Sequence, residues 1–262
     1  MRLTTFASGS SGNCALLSLN GAHILLDAGI SYRRIIENLA LSGLSPELLS
    51  AVLITHEHSD HICGLATFVK HCAVSICAPR TVANRLKASI AGVEQCLHVI
   101  PVGEVTELNG LELTCFHTPH DTDESVGWRI AGGEGCFALA TDMGCITEEI
   151  RSGLRGADTV LIEANHDEEM LRFGPYPAAL KRRILSDHGH LSNENCGILA
   201  AELADHGTKQ IVLGHLSREN NTPEKAFAAV KTALGQRDTA LYVAPAAERL
   251  TLEWEKEQPC LV

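Results

Sequence analysis

The stretch Thr55–His61, THEHSDH, packs three histidines and two acids into seven positions directly after the apolar run Ala51–Ile54, AVLI. Ala51–Thr55 reads as a buried strand, and a strand that ends abruptly in His-x-His-x-Asp-His presents ligands on a rigid base. His56 and His58 are two residues apart, so in extended chain both side chains point the same way and can chelate one ion. Asp60 and His61 lie beyond, where the chain is expected to turn into a helix starting near Ile62, and can reach a second ion. Neutral imidazoles with a carboxylate suit Zn²⁺, and also Mn²⁺ or Fe²⁺.

A two-metal site needs more ligands, again at strand ends. His120 follows the strand LELTCF in HTPHD and is preferred to its neighbour His117. Asp142 ends CFALATD, where an acid after an apolar run is poorly placed unless something uses it, and it can bridge two ions. His215 ends QIVLGH. Asp27, in ILLDAG, is expected to orient a metal ligand rather than bind metal itself. His23, His71, His98 and His206 lack supporting context and read as surface or satisfied core residues.

Strand-like and helix-like runs alternate along the 262 residues, strand-rich first and helix-rich later, with no Pro- or Ser-rich linker. Ser31, Ser192 and Thr222-Pro223 mark helix starts, and Pro177 opens another helix reading to Leu185. This pattern predicts an α/β fold, two packed sheets with helices outside, in one domain (1–262) whose similar halves meet near residue 132. No apolar run approaches a membrane span and the N-terminus has no apolar leader segment. The ten cysteines are scattered, several within apolar runs (Cys77, Cys115, Cys136), so they read as reduced core residues of a cytoplasmic protein. The apolar tail Cys260–Val262 reads as a contact or a frayed end. The net charge of −11 argues against nucleic-acid binding through the field of the whole surface; such a role requires a local cationic site.

The set His56, His58, Asp60, His61, His120, Asp142 and His215 resembles that of the metallo-β-lactamase fold, an αββα sandwich of two mixed sheets. ASGSSGN (7–13), EANHD (163–167), KRRILSDHGHLSNEN (181–195) and GHLSRENN (214–221) are similar to the YycJ/WalJ-type subgroup of these metallohydrolases. The resemblance implies two divalent ions, the first on His56, His58 and His120, the second on Asp60, His61 and His215, with Asp142 bridging. It implies a metal-dependent 5′-to-3′ exonuclease on DNA that attacks with metal-bound hydroxide. It is also similar to tRNA 3′-processing enzymes: Glu163 and His190 match a Glu and a His of their motifs, implying a general acid His190 oriented by Glu163. The first histidine of their His-Glu-Ala-Thr segment is replaced by Ile162, with His166 or His188 as possible substitutes. Among other classes, His58 disfavours a flavodiiron-type redox enzyme, and the intact ligand set disfavours a non-catalytic scaffold. Hydrolysis of a small ester (cyclic phosphodiester, lactone or thioester) is the alternative. Lys181, Arg182 and Arg183 are expected either to steer a phosphate backbone or to form a solvated face. SGSSGN, with Ser10 and Asn13, is expected either to contact phosphate or to form a hairpin turn.

Overall fold

The computed structural model describes residues 1–254, so Cys260–Val262 lies outside the described residues. The chain first lays down β1 (Arg2–Ala7), β2 (Cys14–Leu19), β3 (Ala22–Leu26), β4 (Ala51–Leu53), β5 (Ile76–Ala78) and β6 (Leu97–Val99). It then crosses to β7 (Thr106–Leu108), β8 (Leu111–His117), β9 (Val126–Gly132), β10 (Gly135–Ala140), β11 (Thr159–Glu163), β12 (Gln210–Gly214) and β13 (Ala240–Val243). β14 (Leu250–Glu253) returns to the first sheet. The sheets run β14-β1-β2-β3-β4-β5-β6 and β13-β12-β11-β10-β9-β8-β7, each seven-stranded and mixed.

Helices α1 (Tyr32–Leu41), α2 (Ser59–Ile62), α3 (Leu65–His71) and α4 (Arg80–Ser89) follow strands of the first sheet. Helices α5 (Glu148–Leu154), α6 (Glu168–Phe173), α7 (Ala178–Ile184), α8 (Asn193–Asp205) and α9 (Pro223–Leu234) follow strands of the second. Ser31, Ser192 and Thr222 accept backbone N–H bonds at the starts of α1, α8 and α9. None of the helices among the described residues is long and apolar enough to cross a membrane.

Period-2 alternation builds the layers. In β4, Ala51 and Leu53 enter the core between the sheets, while Val52 packs with Ile35, Leu39 and Phe68 beneath the helices of the first sheet. In β10, Phe137 and Leu139 face the inter-sheet core, and Ala138 and Ala140 face α5, α8 and α9. Burying each large aliphatic or aromatic side chain contributes about 1.5–3 kcal/mol. Trp128 of β9 is fully buried and donates its indole N–H to Ile54 O at 3.4 Å. With Val126 N bonding Thr55 O at 3.2 Å, it stitches the second sheet to the start of the histidine-rich loop on the first.

The boundaries differ from expectation in specific places. The crossover between sheets falls between Val99 and Thr106; near residue 132 the chain makes only the β9–β10 hairpin within one sheet. A helical turn, α2, already starts at Ser59, so Asp60 and His61 sit on it with His58 as its N-cap. The helix expected from near Ile62 is matched by α3, which begins at Leu65 after the short turn of α2; the short strands β6 and β7, and helices α4 to α6, escaped the sequence reading.

Candidate metal centre

β3, β4, β10, β11 and β12 all release their C-terminal ends at one edge of the sandwich, where the chain leaves its ladder and side chains are free to converge. Among the described residues, five other than glycine have positive φ. Asn20 and Asn109 precede glycines in tight hairpins; the other three, Asp27 (54°), Asp142 (56°) and His215 (55°), lie within two residues of a strand end at this edge. Left-handed backbone costs roughly 1–2 kcal/mol for a residue with a Cβ. Packing elsewhere offsets this cost, and the sharp turns aim three side chains at a common point.

The seven sequence candidates stand together in two groups. His56, His58 and His120 form one, with ring centroids 4.7–5.2 Å apart. Asp60, His61 and His215 form the other: Asp60 Oδ2 lies 3.5 Å from His61 Nε2 and 3.4 Å from His215 Nε2. Asp142 lies between them. Its Oδ2 is 3.2 Å from His61 Nε2, and its Oδ1 is 3.5 Å from both His120 Nε2 and His215 Nε2.

Three of the imidazoles are turned by a partner on the other nitrogen. His61 Nδ1 donates to Asp27 Oδ2 at 2.7 Å, and Asp27 is itself held by the Thr55 N–H and hydroxyl. His120 Nδ1 donates to Gly189 O at 3.2 Å, and His215 Nδ1 to Glu163 Oε1 at 2.9 Å. Committing Nδ1 fixes the tautomer and presents Nε2. Close backbone packing supports this: Asn13 N bonds Asp60 O, Gly29 N bonds Asn13 O and Ala28 N bonds His61 O, at 2.8–2.9 Å. A Cβ on Gly29 would lie 1.7 Å from Asp60 O, so only glycine lets these segments meet.

Whether the residues fit a divalent cation is tested by their unmet valences. His56 Nε2 and Asp142 Oδ2 are buried with no hydrogen-bond partner among the described residues, a costly arrangement unless a cation takes their lone pairs. Imidazole nitrogens and carboxylates are the donors such an ion uses, and the residues fit.

Glu163 is completely buried at the end of β11 and serves more partners than the sequence revealed. Its Oε1 accepts from His190 Nδ1 at 2.7 Å and from His215 Nδ1; its Oε2 accepts the Met143 and Leu191 N–H groups. Burial alone would raise its pKa, yet the charge and hydrogen bonds of His190 and His215 hold it at about 2. His215 is pushed the other way: burial would lower it, but Asp142, Asp60 and Glu163 raise it to about 10. Burial also opposes the charged form of His190, and Glu163 outweighs it to raise that pKa. His190 Nδ1 is 3.8 Å from Asp142 Oδ1, which places the ring at the rim of the cluster.

The expected substrate contacts divide. Ser10 and Arg183 line a cavity of about 180 Å³ that opens onto His120 and His190. Lys181 does not reach it: its ammonium donates to Arg172 O and Gly174 O, both at 2.8 Å, and ties down a loop. Arg182 is exposed and is not part of this lining. Asn13 is buried in the turn between β1 and β2, its amide engaged with Gly9, Asp60 and His61, so it braces the histidine-rich loop. His117 turns outward to Glu149. His188 is exposed; His166 is buried, and burial pushes its pKa down to about 4. Asp121 was missed. One oxygen lies 3.3 Å from His120 Nε2 and the other pairs with Arg183. Arg218, also missed, donates to Ser11 Oγ at 2.7 Å.

Comparison with known proteins defines the class first. The beta-lactamase superfamily domain matches residues 22–216. By structure the chain is similar to the metallo-beta-lactamase fold protein YhfI of Bacillus subtilis (TM-score 0.72, 15% identity, 95% of this chain and 99% of that one). It is equally similar to Zn²⁺-bound PqqB of Methylobacterium extorquens (TM-score 0.72, 19% identity, 97% and 100%). Sequence narrows the relation. Exodeoxyribonuclease WalJ of Streptococcus pneumoniae serotype 2 is 36% identical over 245 residues, 92% of this chain and 91% of that protein. Exodeoxyribonuclease YycJ of Bacillus anthracis is 33% identical over 238 residues, 90% of each. The chain belongs to the beta-lactamase superfamily and, within it, to the family of the WalJ and YycJ proteins.

Proposed function

We propose that this protein is a metal-dependent 5′-to-3′ exodeoxyribonuclease using two divalent ions, Zn²⁺ or Mn²⁺ with Fe²⁺ as a further candidate. The position of Asp142 carries the reading: a single carboxylate lies within 3.5 Å of ligand nitrogens from both groups, as a bridge requires. His56, His58 and His120 would hold one ion, Asp60, His61 and His215 the other. Bound there, divalent ions would supply a water of lowered pKa (from 15.7 to about 7) and positive charge for a phosphoryl oxygen.

The chain's own residues supply the rest. Glu163 fixes His190 through Nδ1, which leaves Nε2 as the nitrogen free to pass a proton to the departing oxygen of the cleaved phosphodiester. Glu163 also fixes His215, so one buried carboxylate aligns a metal ligand and the acid together. Arg183, on the cavity wall, supplies a cation that the acidic surface as a whole does not. The exodeoxyribonuclease names of WalJ and YycJ support DNA as substrate. That all nine described cysteines are free supports a cytoplasmic location, and the shared inter-sheet core supports one domain over 1–262.

The test is a comparison of substrates. Metal-quantified protein should release mononucleotides progressively from 5′-phosphorylated, 3′-labelled duplex DNA with Mn²⁺ or Zn²⁺, and leave a cyclic phosphodiester, a lactone and a thioester untouched. Turnover of a small ester without cleavage of DNA would overturn the proposal.

A further inference from the structure

We propose, building on the exonuclease reading, that the cavity beside His190 receives the terminal nucleotide of the strand, with its base stacked on Tyr176 and its phosphate drawn by Arg183, Ser10 and Ser217. The cavity has a lining of two kinds. Tyr176 and Leu180 contribute apolar surface to its lining, and Ser10, Ser217 and Arg183 contribute polar groups, with His190 also on the lining. At about 180 Å³ it falls below the ~300–1,000 Å³ of pockets for drug-sized ligands and has room for a single base, with sugar and phosphate at its open side, rather than a base pair.

The aromatic part of the lining is built to stay in place. Tyr176 stands between Pro175 and Pro177 in the loop from α6 to α7. Each proline fixes its own φ and restricts the residue before it to extended conformations; Gly174, before Pro175, is extended (φ −69°, ψ 176°), and Pro177 has φ −57°. Lys181 then anchors the loop through Arg172 O and Gly174 O. A ring held this way offers a stacking face at little entropic cost, and every base has a π-face to meet it. Among the polar groups, Ser217 Oγ accepts the Asn220 N–H at 3.2 Å, which leaves its own hydrogen to donate. The Arg183 guanidinium, paired with Asp121, waits at the mouth beside His120.

Removing the base from the substrate separates stacking from mere support of the loop. On duplex DNA with an ordinary 5′-terminal nucleotide, Tyr176→Ala is expected to raise KM about tenfold with little change in kcat. Tyr176→Phe, which keeps the ring, restores the lost affinity. On the same DNA with an abasic 5′-terminal nucleotide, wild type should already show the raised KM, and Tyr176→Ala should add less than a twofold change. Equal losses on both substrates, or no loss on either, would overturn the pocket assignment while leaving the exonuclease intact. Absence of wild-type DNA cleavage would overturn the exonuclease reading, and the pocket with it.

Discussion

Asp142→Asn is expected to lower turnover on DNA by about three orders of magnitude, equivalent to roughly 4 kcal/mol of transition-state stabilisation. The substitution is chosen for its backbone. Asp142 has φ 56°, a conformation that Asn tolerates and Ala does not, so the variant removes charge without adding strain. What it loses is the one carboxylate that lies against both groups of ligands, within 3.5 Å of His61, His120 and His215. An amide offers one weaker acceptor where the carboxylate offers two charged ones. Activity and bound metal should therefore fall together while circular dichroism remains native. Full activity in a variant that retains native metal content would remove Asp142 from the centre of the account.

His190→Ala produces the second large effect and a different signature. General acids typically contribute 10²- to 10⁴-fold, and a loss of about 10³-fold in kcat on DNA is expected. The ring sits at the rim of the cluster with Nδ1 committed to Glu163, so its loss should leave bound metal unchanged. An aryl phosphodiester, whose leaving group departs without a proton, discriminates the role. The variant should hydrolyse that ester within about tenfold of wild type. Equal losses on DNA and on the aryl ester would show that His190 positions the site rather than donating a proton.

Much of the centre was legible because ligand chemistry left a linear trace. THEHSDH stands on a short buried strand, and Asp142 and His215 each end an apolar run where an acid or an imidazole has no packing role. Glu163 and His190 could be paired only through likeness to relatives; that Glu163 also grips His215 required the parallel pairing of β11 with β12. The left-handed turns at Asp27, Asp142 and His215 carry no sequence mark, since none of these residues is a glycine.

Substrate contacts were read less well, and for one physical reason. A cation or an amide in a plausible motif has many ways to be satisfied, and only tertiary structure selects among them. Lys181 found two carbonyl oxygens of its own loop, and Asn13 found the backbone it braces, while Arg183 two residues further along reached the cavity. Tyr176 drew no notice in the sequence; only the fold puts it on the lining of the same cavity as Ser10 and Arg183. The three-residue strands β6 and β7 were invisible to periodicity because two alternations do not make a pattern.

The most direct measurement is the metal content and position in purified protein reconstituted with Zn²⁺ or Mn²⁺, by elemental analysis together with anomalous diffraction. Two ions per chain are expected, about 3.5–4 Å apart, one among His56, His58 and His120 and the other among Asp60, His61 and His215, with Asp142 reaching both. A chain that binds no ion at this edge of the sandwich, or ions seated away from these seven side chains, would contradict the account.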